Sequence, residues 1–363
     1  MKIINILFNH KSSAHDNKIL GVERCFIDYA KYLIANGNTV ASVAKPNMVY
    51  QQDIKKTGCR LFELSNFGRF DIFAMSRLAL LFLSFKPDAI ICHSGRALYL
   101  ARAARFLRGR KTPIIVIDHG INPKKFLKAD YVLTVNSFFS KELIKAGKAP
   151  DTAFVIPNMM EVPAAFVDLE KKPFQKVIKL GSLGRLYPEK YFDKVLKAMA
   201  ILRNRGIESD YVIGGVGPME NHLNNLAKEL DLQKNFKILG WTDDKRKFFD
   251  NIDIFILPSF AETFGIVLLE AMLYSTPIIT SNSWGPDEVI FNEVDGLKVS
   301  KDDEAKMPEL LADAIERLID DENFAKKMAV AAKEKFYANY SAEMVGKKLN
   351  GIIAAIVERE NKK

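Results

Sequence analysis

The sequence predicts an α/β protein made of two doubly wound domains, each a parallel sheet covered by helices. Short apolar runs alternate with amphipathic helical patterns along the whole chain, which is typical of repeated βα units. The series starts afresh after a Pro-containing stretch without periodicity, IPNMMEVPAA at residues 156–165. The length of 363 residues is also sufficient for two separate hydrophobic cores.

Each half contains several candidate strands with helical patterns between them. The pattern VERCFIDYAKYLIANG follows the first strand and ends at Gly37, as a helix with a glycine C-cap would. The domains are predicted at residues 1–160 and 161–340, with a last amphipathic helix at about 341–363. The candidate strands are 3–8, 39–43, 89–92, 114–117 and 131–135, then 177–181, 211–214, 236–239, 252–257 and 277–280.

Composition and charge narrow the class of protein. The residues are 48% hydrophobic and 27% charged, and the three cysteines lack C-x-x-C spacing, so a reduced cytoplasmic setting is expected. Neither a signal peptide nor a membrane span is expected. Residues 1–165 hold 24 basic and 12 acidic side chains, a net +12, whereas the remainder holds 29 and 32, a net −3. A basic half favours phosphate-rich partners such as anionic lipid, an acidic acceptor or nucleic acid; the alternative is a merely soluble basic domain.

Common cofactor and metal signatures are absent from the sequence. No G-x-G-x-x-G follows the first strand, and G-x-x-x-x-G-K-[ST], H-E-x-x-H, D-x-D and G-x-S-x-G do not occur. The five histidines show no metal-ligand spacing; they are His10, His15, His93, His119 and His222. The expectation is therefore that the protein needs neither a metal nor a cofactor.

Two glycine-rich strand ends in the second half suggest a phosphate site and a base site. LGSLGRLYPEK places Arg185 and Lys190 after a strand and beside a helix start, where phosphate is favoured, and Gly184 permits close backbone approach. The alternative is two basic residues on a surface loop. GGVGP, which contains Gly217, and the Gly240–Trp241 turn resemble walls for a flat nucleobase, although glycine-rich strand ends are common in any α/β protein.

The stretch AETFGIVLLEAM carries Glu262 and Glu270 in otherwise apolar surroundings. A helix is predicted to begin around Phe264–Gly265, and the free amides of its first turn would attract an anion. Glu270 lies roughly 7–8 Å further along the axis at 1.5 Å per residue. One carboxylate thus precedes the anion site and one follows it, which matches sugar hydroxyls, diphosphate and ribose in a nucleotide sugar. The alternative is a purely structural Glu270, which would be costly if unpaired.

In these motifs the sequence resembles the retaining GT-B glycosyltransferases of family GT4, which include many lipopolysaccharide-core transferases. The resemblance runs over nearly the whole chain and is densest from about Val177 to Gly296. It implies two Rossmann-like domains facing each other across a cleft, with the last helix crossing back onto the N-terminal domain. It implies that Arg185 and Lys190 bind the donor diphosphate.

The resemblance also assigns the remaining site residues. Glu262 would hold donor-sugar hydroxyls and Glu270 the ribose. The backbone amides would come from Phe264, Gly265 and Ile266. In the first half, Gly21 matches a glycine loop near the donor phosphates, and His119 in VIDHG matches a histidine against the reacting sugar.

This sequence departs from the family pattern at two places. The first loop has one glycine where two are usual, and Tyr191 follows Lys190 where glycine is common. Both departures leave acceptor-side details open. A strand-end histidine bonded locally is the alternative for His119, and a structural role is favoured for His93.

The resemblance implies a retaining transferase that moves a hexose-type sugar from a nucleoside-diphosphate sugar to a hydroxyl of a glycan or glycolipid. The alternatives are a sugar-nucleotide epimerase or a non-catalytic partner subunit on the same scaffold. Nucleic-acid binding lacks a recognised motif. The apolar run at 72–85 and the basic run RAARFLRGRK at 102–111 suggest docking on an anionic membrane; the alternative is a core helix plus a solvated basic helix.

Overall fold

The computed structural model describes residues 1–8, 19, 21–68, 70–108, 112–120, 123–164, 166–168 and 173–363. The chain forms two compact units. The N-terminal unit comprises residues 1–161 together with 341–363, and the C-terminal unit comprises residues 162–340. No helix of the described ranges is both long and apolar enough to cross a membrane.

The N-terminal unit is built on a seven-stranded sheet in the order β3-β2-β1-β4-β5-β6-β7, and all its strand pairs are parallel. Its strands are β1 Lys2–Leu7, β2 Thr39–Ala44, β3 Arg60–Glu63, β4 Ala89–Cys92, β5 Ile114–Asp118, β6 Tyr131–Thr134 and β7 Ala153–Val155. Its helices are α1 Gly21–Ala35, α2 Gln51–Lys56, α3 Ile72–Phe85, α4 Gly95–Arg108, α5 Ser137–Lys145 and, from the end of the chain, α13 Ala342–Asn361.

The C-terminal unit is built on a six-stranded parallel sheet in the order β10-β9-β8-β11-β12-β13. Its strands are β8 Ile178–Leu183, β9 Ser209–Gly214, β10 Phe236–Gly240, β11 Ile254–Leu257, β12 Ile278–Ser281 and β13 Leu297–Val299. Its helices are α6 Phe192–Asn204, α7 Glu220–Glu229, α8 Lys245–Asp250, α9 Ile266–Leu273, α10 Trp284–Val289, α11 Met307–Asp320 and α12 Glu322–Asn339.

Both sheets are covered by helices, so their central strands are apolar on both sides. β4, β5 and β11 are buried along their whole length. α1 ends as the sequence predicts: Gly37 has φ +80°, and its amide donates to the carbonyl of Ile34.

The strand order reverses between β1 and β4 in one unit and between β8 and β11 in the other. The carboxyl ends of the strands at such a reversal are where open α/β sheets bind ligands. The predicted class of two doubly wound α/β domains is confirmed.

Candidate active site

The reversal point of the C-terminal sheet brings together two loops that carry predicted site residues. Residues 184–191 follow β8, and residues 258–265 follow β11, its neighbour in the sheet. The amide of Phe260 donates to the carbonyl of Glu189 at 2.9 Å, which joins the two loops.

Lys190 and Glu262 form an ion pair where these loops meet. Lys190 Nζ lies 2.5 Å from Glu262 Oε2, and the two side chains are 12% and 16% exposed. Lys190 ends a short 3-10 helix, Pro188–Lys190, whereas Glu262 sits on the loop before α9. The pair places a cation and a carboxylate, both still partly exposed, at the carboxyl edge of the sheet.

The start of α9 adds backbone donors beside Glu262. Gly265 is the N-cap residue and adopts φ +83°, a left-handed conformation that favours glycine. Among the described residues, the amides of Phe264, Gly265 and Ile266 donate no hydrogen bond to another backbone group. Unpaired amides at a helix start attract negatively charged groups.

Tyr191 occupies the position after Lys190 in a left-handed conformation, with φ +54°. This backbone geometry explains why a glycine would suit the position, since a larger residue there costs roughly 1–2 kcal/mol. The side chain has compensating contacts. Its hydroxyl donates to Glu304 Oε2 at 3.1 Å, and its ring lies 5.6 Å from that of Phe260.

Glu270 lies in α9, one helical turn and more beyond the free amides. Its Oε2 is 3.4 Å from Lys245 Nζ but makes no hydrogen bond within the described part of the chain. Burial raises the pKa of Glu270, and the nearby Lys245 counteracts this rise only in part. Such a carboxylate has unused acceptor capacity for hydroxyl groups.

Arg185 is exposed and turned onto an aromatic ring. Its guanidinium lies 5.0 Å from the ring centroid of Tyr187. No carboxylate of the described residues pairs with it. Arg185 therefore remains a cation available to an anionic ligand on the loop that carries Lys190.

The glycine-rich ends of β8 and β9 pack against each other. A Cβ atom at Gly215 would lie 1.9 Å from the carbonyl oxygen of Gly184, and one at Gly217 would lie 2.5 Å from that of Leu186. Both positions therefore need glycine for packing, whatever they contribute to a ligand. On the next strand, Gly240 has φ +71° and precedes Trp241, whose ring nitrogen donates to Asp243 at 2.5 Å.

The predicted residues of the N-terminal unit lie at the corresponding edge of its own sheet. Gly21 is exposed and begins α1; an added Cβ there would meet no described atom within 4 Å. His119 directly follows β5 and is partly exposed. Its Nε2 has no hydrogen-bond partner among the described residues, and burial lowers its pKa to about 4, so the ring is neutral at pH 7.

Two residues of the C-terminal site were not identified from the sequence. Gly285 comes close to the loop that carries Glu262 only in the folded structure. Its amide donates to the carbonyl of Glu262 at 3.0 Å, and a Cβ there would lie 2.3 Å from Phe264 Cα. Lys245, the partner of Glu270, comes from α8. The one feature of the sequence that could have indicated Lys245 is its position at the start of the helix that follows the Gly240–Trp241 turn.

Two doubly wound parallel-sheet α/β domains are the architecture of the GT-B class of glycosyltransferases. The chain belongs to the GT4-type glycosyltransferases. Residues 19–162 match the family described as Glycosyltransferase Family 4, and residues 167–335 match the family described as Glycosyl transferases group 1.

Individual relatives agree with this family. An uncharacterized glycosyltransferase of Methanocaldococcus jannaschii is 30% identical over 240 residues, which span 62% of this chain and 60% of the relative. The lipopolysaccharide core biosynthesis glycosyltransferase LpsD of Rhizobium meliloti is 24% identical over 95% of this chain and 96% of the relative.

Solved structures share the fold at low sequence identity. A glycosyltransferase from Rickettsia africae is 20% identical with a TM-score of 0.82, and the match covers 98% of each chain. Anabaena HepE in complex with UDP is 18% identical with a TM-score of 0.79, over 98% of this chain and 100% of that one.

Proposed function

We propose that the protein is a retaining glycosyltransferase of lipopolysaccharide or cell-surface polysaccharide biosynthesis. It moves a hexose-type sugar from a nucleoside-diphosphate sugar to a hydroxyl of a glycan or glycolipid acceptor. The observation that carries the proposal is the Lys190–Glu262 pair beside the unpaired amides at the start of α9. The donor binds the C-terminal unit, and the acceptor binds the N-terminal unit.

In the proposed chemistry, Lys190 and Glu262 no longer pair with each other, because each binds a different part of the donor. When the donor binds, Lys190 turns to the diphosphate and Glu262 accepts hydrogen bonds from sugar hydroxyls. As the glycosidic bond breaks, negative charge develops on the diphosphate, and Lys190, Arg185 and the amides of α9 stabilise it electrostatically. Because these groups supply positive charge, we propose that no metal ion is required. Glu270 holds the ribose hydroxyls, and His119 lies against the donor sugar.

Retention follows, in this proposal, from attack by the acceptor on the face that the diphosphate leaves. The acceptor hydroxyl gives its proton to the departing diphosphate as the new glycosidic bond forms, through an ion pair resembling an oxocarbenium ion. This route needs no covalent intermediate with the protein. The product anomer, determined by NMR, tests this part of the proposal directly: an inverted product would contradict it.

The principal test combines donor binding with transfer. Thermal-shift measurements with UDP-, GDP- and ADP-sugars should identify one nucleotide class that raises the melting temperature; UDP-sugars come first because the similar HepE binds UDP. With that donor, Lys190→Ala and Glu262→Gln should each lower the rate of sugar transfer roughly 100- to 1,000-fold.

Lys335→Met is the matched control. Lys335 Nζ also forms a short ion pair, 2.7 Å from Asp295 Oδ2, with side chains 13% and 2% exposed in the same unit. This variant should lose stability but retain transfer per folded molecule. Normal transfer by both site variants would contradict the proposal. Donor binding without transfer to any acceptor would favour the non-catalytic alternative, and a changed sugar on the nucleotide would favour the epimerase.

We further propose that the enzyme acts in the cytoplasm, docked on the anionic inner face of the cytoplasmic membrane. α3 buries Ala74, Leu78, Ala79 and Phe82 in the core, yet its other face is also apolar. The exposed apolar side chains of this region are Phe67, Phe70, Ile72, Phe73, Leu80 and Leu83, each more than half exposed. Apolar surface of this kind marks an interaction site.

Charge on this surface comes from Arg77, which is exposed on α3. Arg105 is less available to a membrane, because it donates to the carbonyl of Thr112 and forms an ion pair with Asp130. The side chains of Arg108, Arg110 and Lys111 lie outside the described residues. Co-sedimentation with anionic vesicles should be lost in the double variant Phe73→Ser/Leu80→Ser. Retained binding would contradict docking through α3.

A further inference from the structure

Three potential metal ligands from separate parts of the chain converge in the N-terminal unit. Cys25 lies in α1, His93 directly follows β4, and His119 directly follows β5. The sulfur of Cys25 and one ring nitrogen from each histidine all lie within 4.8 Å of one another. Within the described ranges, this is the one group of three or more Cys, His, Asp or Glu side chains with donor atoms gathered in this way.

Asn5 determines which nitrogen of His93 carries a proton. Its Nδ2 donates to the carbonyl of Phe26 at 2.9 Å, so its Oδ1 is the acceptor that lies 2.8 Å from His93 Nε2. Nε2 must therefore donate, and Nδ1 is left as a bare lone pair on a neutral ring. Burial keeps the pKa of His93 well below its usual range, which also favours the neutral ring.

Both histidines present a nitrogen that the protein does not use. His93 is 3% exposed, and neither its Nδ1 nor Nε2 of His119 has a hydrogen-bond partner among the described residues. Leaving a buried acceptor unpaired is costly, so such atoms call for an explanation. A histidine that binds a metal through one ring nitrogen usually donates the N–H of its other nitrogen to a hydrogen-bond acceptor, as His93 Nε2 does to Asn5 Oδ1.

We propose that Cys25, His93 and His119 bind one soft divalent cation such as Zn²⁺. One thiolate and two imidazoles are a donor set that suits zinc, and the fourth position stays open beside the partly exposed His119. The ligand atoms lie within 4.8 Å of one another. Bonds of about 2.0–2.3 Å place such atoms roughly 3.3–3.6 Å apart, so their separations shrink by up to about 1.2–1.5 Å when the ion enters. Binding converts the Cys25 thiol to a thiolate and releases its proton to solvent.

The consequence of occupancy is inhibition. In the proposed function the ring of His119 contacts the donor sugar. A zinc ion bound to the same ring would occupy this position, so zinc and substrate exclude each other. This consequence rests on the proposed function, whereas metal binding itself does not. The site would thus make sugar transfer sensitive to free zinc although the reaction itself uses none.

Cobalt and zinc titrations of the full-length protein test the site without any assay of transfer. Co²⁺ should bind with one ion per chain and produce a thiolate-to-metal charge-transfer band that Zn²⁺ abolishes. Cys25→Ser should remove this band and weaken Zn²⁺ binding more than roughly 100-fold, as loss of a direct ligand requires. Cys59→Ser is the matched control: Cys59 is also buried, it bonds Ser42 and Ile54, and its loss should leave both signals intact.

A second variant covers the case in which Cys25→Ser does not fold. His119→Asn changes the partly exposed ligand and should also weaken Zn²⁺ binding, with circular dichroism reporting the fold. The proposal is overturned if no charge-transfer band forms, or if folded Cys25→Ser and His119→Asn bind Zn²⁺ like the native protein. If zinc binds but does not inhibit transfer, the site stands and the assignment of His119 to the donor sugar is wrong.

Discussion

Gly285 packs directly against the backbone of the loop that carries Glu262. A Cβ at this position would lie 2.3 Å from the Cα and 2.5 Å from the nitrogen of Phe264, and backbone atoms cannot swing aside as a side chain end can. Gly285→Ala should therefore push residues 262–264 away from Lys190. We expect a loss of roughly 1–3 kcal/mol in the free energy of unfolding and at least a tenfold loss of sugar transfer.

Urea unfolding and transfer assays measure these two effects, with Gly351→Ala as the control. Gly351 lies inside α13, and an added Cβ there meets no described atom within 4 Å. Alanine should therefore stabilise that helix by roughly 0.5–1 kcal/mol. An equally active and equally stable Gly285→Ala would mean that the loop accommodates the methyl group and that its position matters little.

At the scale of a single element, α9 combines a largely buried apolar helix with a charge that is costly to bury. Glu270 has a raised pKa because of burial, so it would take up a proton more readily in the folded than in the unfolded chain. Its contribution to stability is present in acid and is lost as the pH rises through the folded pKa. At pH 7 the ionised carboxylate therefore destabilises the fold.

Glu270→Gln should consequently stabilise the protein at pH 7 by on the order of 1 kcal/mol, because it removes a negative charge that burial disfavours. The same variant should weaken nucleotide binding, because the amide is a poorer acceptor for ribose hydroxyls. Urea unfolding over a series of decreasing pH values tests the reason: the gain should shrink as the pH falls, because burial raises the pKa of Glu270 and the native carboxyl takes up its proton before the unfolded one does. Glu334→Gln, at an exposed position on α12, should show no such gain. A gain independent of pH would contradict the electrostatic explanation.

Strands that are continuous apolar runs could be predicted from the sequence, whereas short strands with polar residues could not. Central strands such as β4 and β11 are continuous apolar runs, and the sequence identified both. It did not identify β3, β7 and β13, which lie at sheet edges. β3 reads RLFE and is exposed at both ends, so no apolar run distinguishes it from a loop. Edge strands are stabilised mainly by a partner strand, which local sequence does not contain.

The same limit applies to the candidate site. Lys190 and Glu262 each follow a strand, so sheet topology alone predicts that they approach each other, and their side chains are in contact. The Lys245–Glu270 pair and the contact of Gly285 with Phe264 depend on how loops from different strands cross. No spacing within one motif encodes such crossings.

At the scale of the whole molecule, the chain leaves the N-terminal unit once and returns to it. It enters the C-terminal unit after Glu161 and comes back at Ser341. The two crossings are tied together within the N-terminal unit, where the amide of Ala342 donates to the carbonyl of Met160 at 3.0 Å. The returning segment, α13, packs on α1 so closely that a Cβ at Gly346 would lie 2.8 Å from Tyr32 Cβ.

This topology makes the last helix part of the N-terminal core although it follows the C-terminal unit in sequence. Leu349 is fully buried in the core that contains α1 and β1. Leu349→Ala should therefore destabilise the N-terminal unit by roughly 2–5 kcal/mol. Both tryptophans, Trp241 and Trp284, lie in the C-terminal unit, so their fluorescence reports that unit alone, whereas circular dichroism reports both.

In Leu349→Ala, part of the dichroism signal should therefore be lost at lower urea concentration while the tryptophan transition stays in place, and donor nucleotides should still shift the tryptophan transition. Lys348→Ala changes the exposed neighbour on the same helix and should move neither signal. If Leu349→Ala instead moves both transitions together, the two units unfold as one. The last helix would then contribute to the stability of the entire enzyme, because a unit that unfolds independently cannot transmit its lost stability to the other.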